Sequence, residues 1–285
     1  MINILFVLIS IISGFFFALS VIKITALYEF WVILVIGLVS YIACIVIYLL
    51  VIAIMSLFVT TKKKYTKQNK FYYFMVREAC DFICNFLRVR VHIRGKEKLP
   101  KDSNFLLVGN HISGLDPILI IGTFKSRVFG AISKPENIKM PFIGKIIYRT
   151  FILPIDRENP RNAVGTIVQA GDLIKNTGIN MILYPEGTRN KTGVGLLPFK
   201  NGGFKIAQKA GVPIVVVNTI DSNKVLKRFP FSTKVILDIV DVIYPKDYEG
   251  LNTNDIGDKV RESILGDKEE KVTDSLNTKD EAVEK

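Results

Sequence analysis

Hydrophobic and polar positions divide the chain into two unlike halves. From Ile2 to Ile22 no residue carries a charge, and a second uncharged apolar run extends from Phe30 to Val59. At 1.5 Å per residue the first run spans roughly 31 Å as a helix, about one hydrocarbon core. A short polar break with Lys23 and Glu29 separates the runs, so the pattern predicts a hydrophobic helical hairpin. Hydropathy leaves open whether it crosses a bilayer twice or lies re-entrant in one leaflet. A cleaved signal peptide fits poorly, because the first run is too long and lacks a basic leader.

After residue 60 the pattern changes. Lys62, Lys63, Lys64, Lys67 and Lys70 follow at once, which by the positive-inside rule places this end in the cytoplasm. The aromatic stretch Phe71 to Arg88 reads as a helix, either lying in the membrane interface or packing under the core. Beyond it, short apolar runs alternate with amphipathic ones. Strands are predicted over Val89–Ile93, Phe105–Val108, Val128–Ile132, Phe151–Pro154, Met181–Tyr184, Pro213–Asn218 and Val235–Val242. Helices are predicted over Phe142–Arg149, Asn162–Lys175, Phe204–Lys209 (closed by Gly211) and Asp255–Ile264. Asp116 and Pro117 read as the N-cap and first residue of another helix. Alternating strands and helices predict a layered α/β domain. The expected organisation is therefore a hairpin over 1–60, a basic and aromatic linker helix over 61–88, an α/β domain over 89–265, and a polar, disordered tail over 266–285.

Composition sharpens this. The net charge of the 285 residues is +12, and the last twenty residues contribute −3, so the remainder carries +15. Such an excess favours anionic partners: a lipid surface, phosphates, an acidic protein or nucleic acid. Nucleic acid is discounted: membrane topology explains much of the basic excess beside the hairpin, and no recognised nucleic-acid motif appears. Three cysteines make no disulfide framework, and no Cys/His spacing fits a metal; a reduced, cytosolic setting suits the soluble part.

The chemistry concentrates at Asn110-His111-Ile112-Ser113-Gly114-Leu115-Asp116-Pro117. His111 is one of only two histidines, and imidazole moves protons near neutral pH. The other, His92, sits in a strand pattern with Arg90 and Arg94 and is assigned no role. On one straight helix, His111 and Asp116 would stand about 140° apart. They meet only if His111 precedes the helix and the loop folds back. Further segments fall at strand ends, where sites on α/β sheets gather. They are Ser133-Lys134-Pro135 with Lys139 to Gly144, Ile155-Asp156-Arg157, Tyr184-Pro185-Glu186-Gly187-Thr188-Arg189, and Phe199 to Gly203.

These blocks, in this order, resemble those of the glycerolipid acyltransferase family, specifically the 1-acylglycerol-3-phosphate O-acyltransferases. The first block is similar at Asn110 to Pro117, the second at Lys134 to Gly144 and Ile155 to Arg157, the third at Pro185 to Arg189. A looser fourth corresponds to Val212-Pro213-Ile214-Val215. Tyr184 stands where Phe is usual, Asn190 where Ser is common, and Val216 where a proline is common. The resemblance implies acyl transfer from a thioester to the 2-hydroxyl of lysophosphatidic acid, giving phosphatidic acid. His111 would be the general base and Asp116 its orienting partner. Substrate binding would fall to Lys134, Arg157, Glu186, Gly187, Thr188 and Arg189, the cations holding phosphate. Glu186 either accepts a hydrogen bond from substrate or pins Arg189; Gly202-Gly203 is either a phosphate-approach loop or a plain turn. No cofactor or metal is expected; the co-substrate would be an acyl-acyl carrier protein or acyl-CoA. The other partners would be membrane lipids and lysophosphatidic acid, at the cell membrane with the catalytic domain on its cytoplasmic face. The alternatives are another acceptor, such as glycerol 3-phosphate or a different lysophospholipid, and a lipid-binding protein without activity.

Overall fold

A computed structural model describes residues 2–21, 27–156, 160–192 and 195–266. Arg157 and the acidic tail therefore lie outside the described residues. The two apolar runs form helices α1 (Ile2–Val21) and α2 (Leu27–Leu57). Within α2, Trp31–Leu57 is long and apolar enough to cross a membrane. The pair is stitched by sparse polar contacts: Ser13 Oγ donates to Ser40 Oγ at 2.8 Å, and Tyr41 OH donates to Asn3 Oδ1 at 2.8 Å. Small residues let the helices approach, since a Cβ on Gly14 would already touch Ile33 at 3.4 Å.

Helix α3 (Lys70–Phe86) starts where the Asn69 side chain caps the amides of Phe71 and Tyr72. It buries Tyr72, Tyr73, Met75, Val76 and Cys80 while Phe71, Phe74 and Phe86 stay exposed. One face thus packs under the core, as one of the two expectations had it, and the opposite face leaves aromatic rings exposed.

The remainder is a seven-stranded sheet: β1 (Val89–Arg94), β2 (Leu106–Gly109), β3 (Phe129–Ser133), β4 (Ile152–Pro154), β5 (Asn180–Leu183), β6 (Ile214–Ile220) and β7 (Thr233–Ile243). Its order is β1-β7-β6-β2-β5-β3-β4. Strands β6, β2, β5, β3 and β4 are mutually parallel; β7 pairs antiparallel with β6 and parallel with β1. Two consequences follow. Five strands end at one edge of the sheet, and β1 and β7 begin there. Buried runs such as Leu106-Leu107-Val108 and Ile214 to Val217 are apolar on both faces because helices cover both.

One face carries α3, α4 (Asp116–Thr123), α5 (Pro135–Lys139), α6 (Ile143–Arg149) and the end of α2, packed over Phe105, Leu107, Phe129 and Val215. The other carries α7 (Pro160–Thr177), α8 (Lys205–Ala210) and, further along, a helix over 253–266, packed over Leu106, Met181 and Val216. Between α8 and that last helix lie the short α9 (Val225–Arg228) and α10 (Pro245–Tyr248). Gly211 closes α8 with φ +66°, as its place in the sequence predicts.

Candidate active site

Strand β2 delivers the histidine to the edge where five strands end. Gly109 runs so close to β6 that a Cβ there would lie 2.7 Å from the Val217 carbonyl oxygen. The next residue leaves the ladder: the Asn110 side chain donates to Thr219 O at 2.9 Å and accepts from Thr219 N at 2.7 Å. The chain then turns, and His111 lies on the wall of a cavity of about 1030 Å³.

The loop after His111 folds back. His111 Nδ1 is 2.9 Å from Asp116 Oδ2, and the same oxygen accepts from Ile112 N and Ser113 N at 2.9 Å each. The other oxygen accepts from the Ser222 hydroxyl, on the turn after β6. Asp116 is 0% exposed, so these donors replace all of its solvation. An ionised Asp116 requires the proton on Nδ1, which leaves the Nε2 lone pair on the opposite side of the ring.

This corrects the expectation that Asp116 is the N-cap. Leu115 holds that position, Asp116 is the first helical residue, and its carboxylate reaches back to the preceding loop rather than to the amides of the first turn. The carboxylate is occupied by the ring and by two amides of the loop that presents it.

Under the imidazole lies Tyr184, stacked at 4.3 Å between ring centroids and 17° between planes. Its hydroxyl is buried with no hydrogen-bond partner among the described residues. Burial, and then the neighbouring Asp116, hold its pKa well above 10, so it stays protonated.

After β5 the chain enters Pro185 to Arg189. Glu186 is 3% exposed. Its Oε1 accepts from His111 N at 2.7 Å and its Oε2 from Leu197 N at 2.9 Å. These two bonds fasten the histidine loop to the segment around residue 197. Gly187 adopts φ +68°, and a Cβ there would press on the Lys200 side chain at 3.1 Å, so both the turn and the close approach call for glycine. Asn190 N donates to His111 O at 2.7 Å, which gives that residue a second brace on the same loop.

Lys134, Gly187, Thr188 and Arg189 all line the cavity with His111. The Arg189 guanidinium lies over the loop: its Nη1 is 3.5 Å from where a Cβ on Gly114 would stand. Lys200 joins this group. Sequence reasoning marked its segment but assigned it nothing; a cation between a partly buried aromatic and a glycine pair was the available signal. Ser222 was missed altogether, since a serine 106 positions from its partner carries no local pattern. Gly202 and Gly203 also border the cavity, and a short 3-10 turn over Asn201–Phe204 holds them. Away from the cations the cavity becomes apolar, passing Ile118, Ile121 and Ile146 to Phe6, Tyr48 and Ile52 of α1 and α2. Among the described residues no cluster of His, Cys, Asp and Glu could hold a metal ion.

The Acyltransferase family profile matches residues 90–219. The 1-acyl-sn-glycerol-3-phosphate acyltransferase of Haemophilus influenzae is 35% identical over 170 residues, covering 58% of this chain and 70% of that protein. This chain belongs to that acyltransferase family. The enzyme of the same name from Borreliella burgdorferi is 29% identical over 199 residues, 67% of this chain and 77% of that protein. The human alpha form is 30% identical over 182 residues, 62% of this chain and 63% of that protein. In fold, this acyltransferase is similar to the crystal structure of the 1-acyl-sn-glycerophosphate acyltransferase PlsC from Thermotoga maritima. The TM-score is 0.58 at 23% identity, covering 95% of this chain and 98% of that one.

Proposed function

We propose that this acyltransferase moves a fatty acyl group from a thioester to the 2-hydroxyl of 1-acylglycerol 3-phosphate, giving phosphatidic acid. The observation that carries the reading is the His111–Asp116 pair. A buried carboxylate fixes Nδ1, and His111 borders a cavity with cations near it and an apolar interior beyond.

Nε2 takes the proton of the acceptor hydroxyl as its oxygen attacks the thioester carbonyl carbon. Asp116 holds the tautomer and stabilises the imidazolium. The C–S bond then breaks, and the imidazolium returns the proton to the departing sulfur. No acyl-enzyme is needed, because the acceptor itself is the nucleophile. Lys134, Arg189 and Lys200 hold the acceptor phosphate; Arg157 is assigned there from the sequence alone. Thr188 and Gly187 shape the same end. The acyl chains occupy the apolar part of the cavity.

Helices α1 and α2 serve as a membrane anchor. Each methylene withdrawn into water costs about 0.8 kcal/mol, so a chain passed directly from bilayer to cavity avoids a large penalty. The lysines after α2 support a cytoplasmic face for the catalytic domain, taken as residues 89–265, by the positive-inside rule. The donor is the thioester of an acidic carrier protein or of coenzyme A, and the basic excess attracts either.

The test is acyl transfer by detergent-solubilised His111→Ala, with both donors crossed against lysophosphatidate, glycerol 3-phosphate and a phosphate-free lysolipid. Loss of turnover with a wild-type melting curve is the expected result. Turnover near the wild-type rate rules out His111 as base, and preference for the phosphate-free acceptor removes the roles of the three cations.

A further inference from the structure

Outside the cavity, one surface joins segments far apart in sequence. At the end of α3, Phe82 stacks on Phe86 at 6.2 Å, and Phe86 stacks on Phe229 at 5.6 Å. The run Leu226-Lys227-Arg228-Phe229-Pro230-Phe231 is exposed at every position. Leu226 is 65% exposed, Phe231 72% and Phe86 58%. Isolated apolar side chains on a surface need no explanation, whereas contiguous ones mark a contact. No acid occurs from Lys224 to Phe231, and Arg88 and Arg90 are exposed beside the patch. The nearby acids are already engaged: Asp221 with Lys224 at 2.8 Å and Asp81 with Lys125 at 2.9 Å. Aromatic rings interleaved with unopposed cations are what the headgroup region of an anionic bilayer selects.

Position supports the same occupant. Because β7 runs against β6, its start lies at the edge where β2 delivers His111 and β6 delivers Ser222. Phe82 of the aromatic stack also lines the cavity, whose far wall is built by α1 and α2. The patch is therefore continuous with the hairpin through α3.

We propose that Phe86, Leu226, Phe229 and Phe231, with Lys227 and Arg228, form a second membrane-contact surface that seats the active-site edge on an anionic lipid surface. The hairpin would tether the domain, and this patch would fix its tilt, turning the cavity toward the lipid. The proposal rests on reading α1 and α2 as a membrane anchor, and the experiment separates the two.

The full chain is reconstituted into phosphatidylcholine–phosphatidylglycerol vesicles with bromine atoms on the acyl chains, which quench tryptophan on contact. The only native tryptophan, Trp31, is exposed on α2 and reports the anchor. Phe231→Trp and Tyr244→Trp are each made in a Trp31→Phe background. Tyr244 is exposed at the other end of the eleven-residue β7, about 33 Å along the strand at 3.3 Å per residue. Quenching of Phe231→Trp severalfold above Tyr244→Trp, reduced by adding Lys227→Glu and Arg228→Glu, is the expected result. Quenching of Trp31 with the two probes alike overturns the patch and leaves the anchor standing. Quenching of Phe231→Trp without Trp31 keeps the patch and removes the anchor; quenching of neither removes both. If Phe231→Trp is shielded from aqueous acrylamide by an acidic carrier protein and not by lipid, the surface is a protein-docking site and the proposal fails.

Discussion

Replacing Asp116 by Asn isolates the charge of the pair from its geometry. Asp116 Oδ2 accepts from His111 Nδ1, Ile112 N and Ser113 N, all at 2.9 Å, while Oδ1 meets only the Ser222 hydroxyl. An Asn can place its oxygen at the first position and its NH2 at the second, where the Ser222 hydroxyl rotates to accept. The hydrogen bonds and the tautomer survive; the negative charge does not. With the charges about 4 Å apart at an effective dielectric of 20, its attraction for an imidazolium is about 4 kcal/mol. If that attraction is realised only as the proton arrives, its loss slows the chemical step about 10³-fold. Single-turnover acyl transfer, measured on protein shown folded by its melting curve, reads this directly. Asp116→Ala is the contrast, since it strands four donors in a buried site and is expected to lose stability as well as activity. If Asp116→Asn retains a rate within about threefold of wild type, with a barrier change under about 1 kcal/mol, the carboxylate is not an electrostatic partner of the base.

Three further outcomes are expected. Tyr184→Phe removes a buried hydroxyl that has no partner among the described residues and should raise Tm by about 2–4 °C, with activity retained; a lower Tm would mean the hydroxyl has a structural bond. Gly109→Ala forces a Cβ against the Val217 carbonyl oxygen and should cost about 1–3 kcal/mol in chemical denaturation; a neutral result would show the strands free to part. Lys200→Ala should raise KM for a phosphate-bearing acceptor about tenfold or more and leave a phosphate-free acceptor unaffected; an equal effect on both would assign Lys200 to shaping the turn at Gly187.

Much of the fold was legible because its signals are local. Leu106-Leu107-Val108 and Ile214 to Val217 read as strands since burial on both faces demands an unbroken apolar run. The end of α8 was fixed by Gly211, which needs no knowledge of the rest of the chain. Strand direction was not legible: nothing in Val235 to Val242 says that β7 reverses against β6, because pairing is decided by what the sheet offers. The same limit applied at the site. His111 and Asp116 could be paired from five-residue spacing and the order of the blocks. The donors that complete Asp116 could not: Ser222 comes from another strand end. Glu186 meets the same limit. Its place in the third block pointed to substrate or to Arg189, and nothing there announced the backbone amides of His111 and Leu197 that its oxygens accept from, because a carboxylate's partners cannot be read from its neighbours in sequence. The Asp116-Pro117 start misled by one residue, because Asp before Pro satisfies a capping pattern whichever way the carboxylate turns.

The Asn110 contact with Thr219 has a consequence for how such a histidine can be presented at all. A carboxamide pairs an NH2 donor group with a carbonyl acceptor, so it can present the N–H and C=O of a peptide unit side by side. By pairing with both backbone groups of Thr219, the Asn110 side chain impersonates one more residue of β2. The β6 strand finds its partner there, and the real main chain is released to turn away. Aspartate could not donate, and serine could not span both groups. The first letter of the block is thus a splice between sheet and loop, so His111 inherits the rigidity of the sheet while standing outside it.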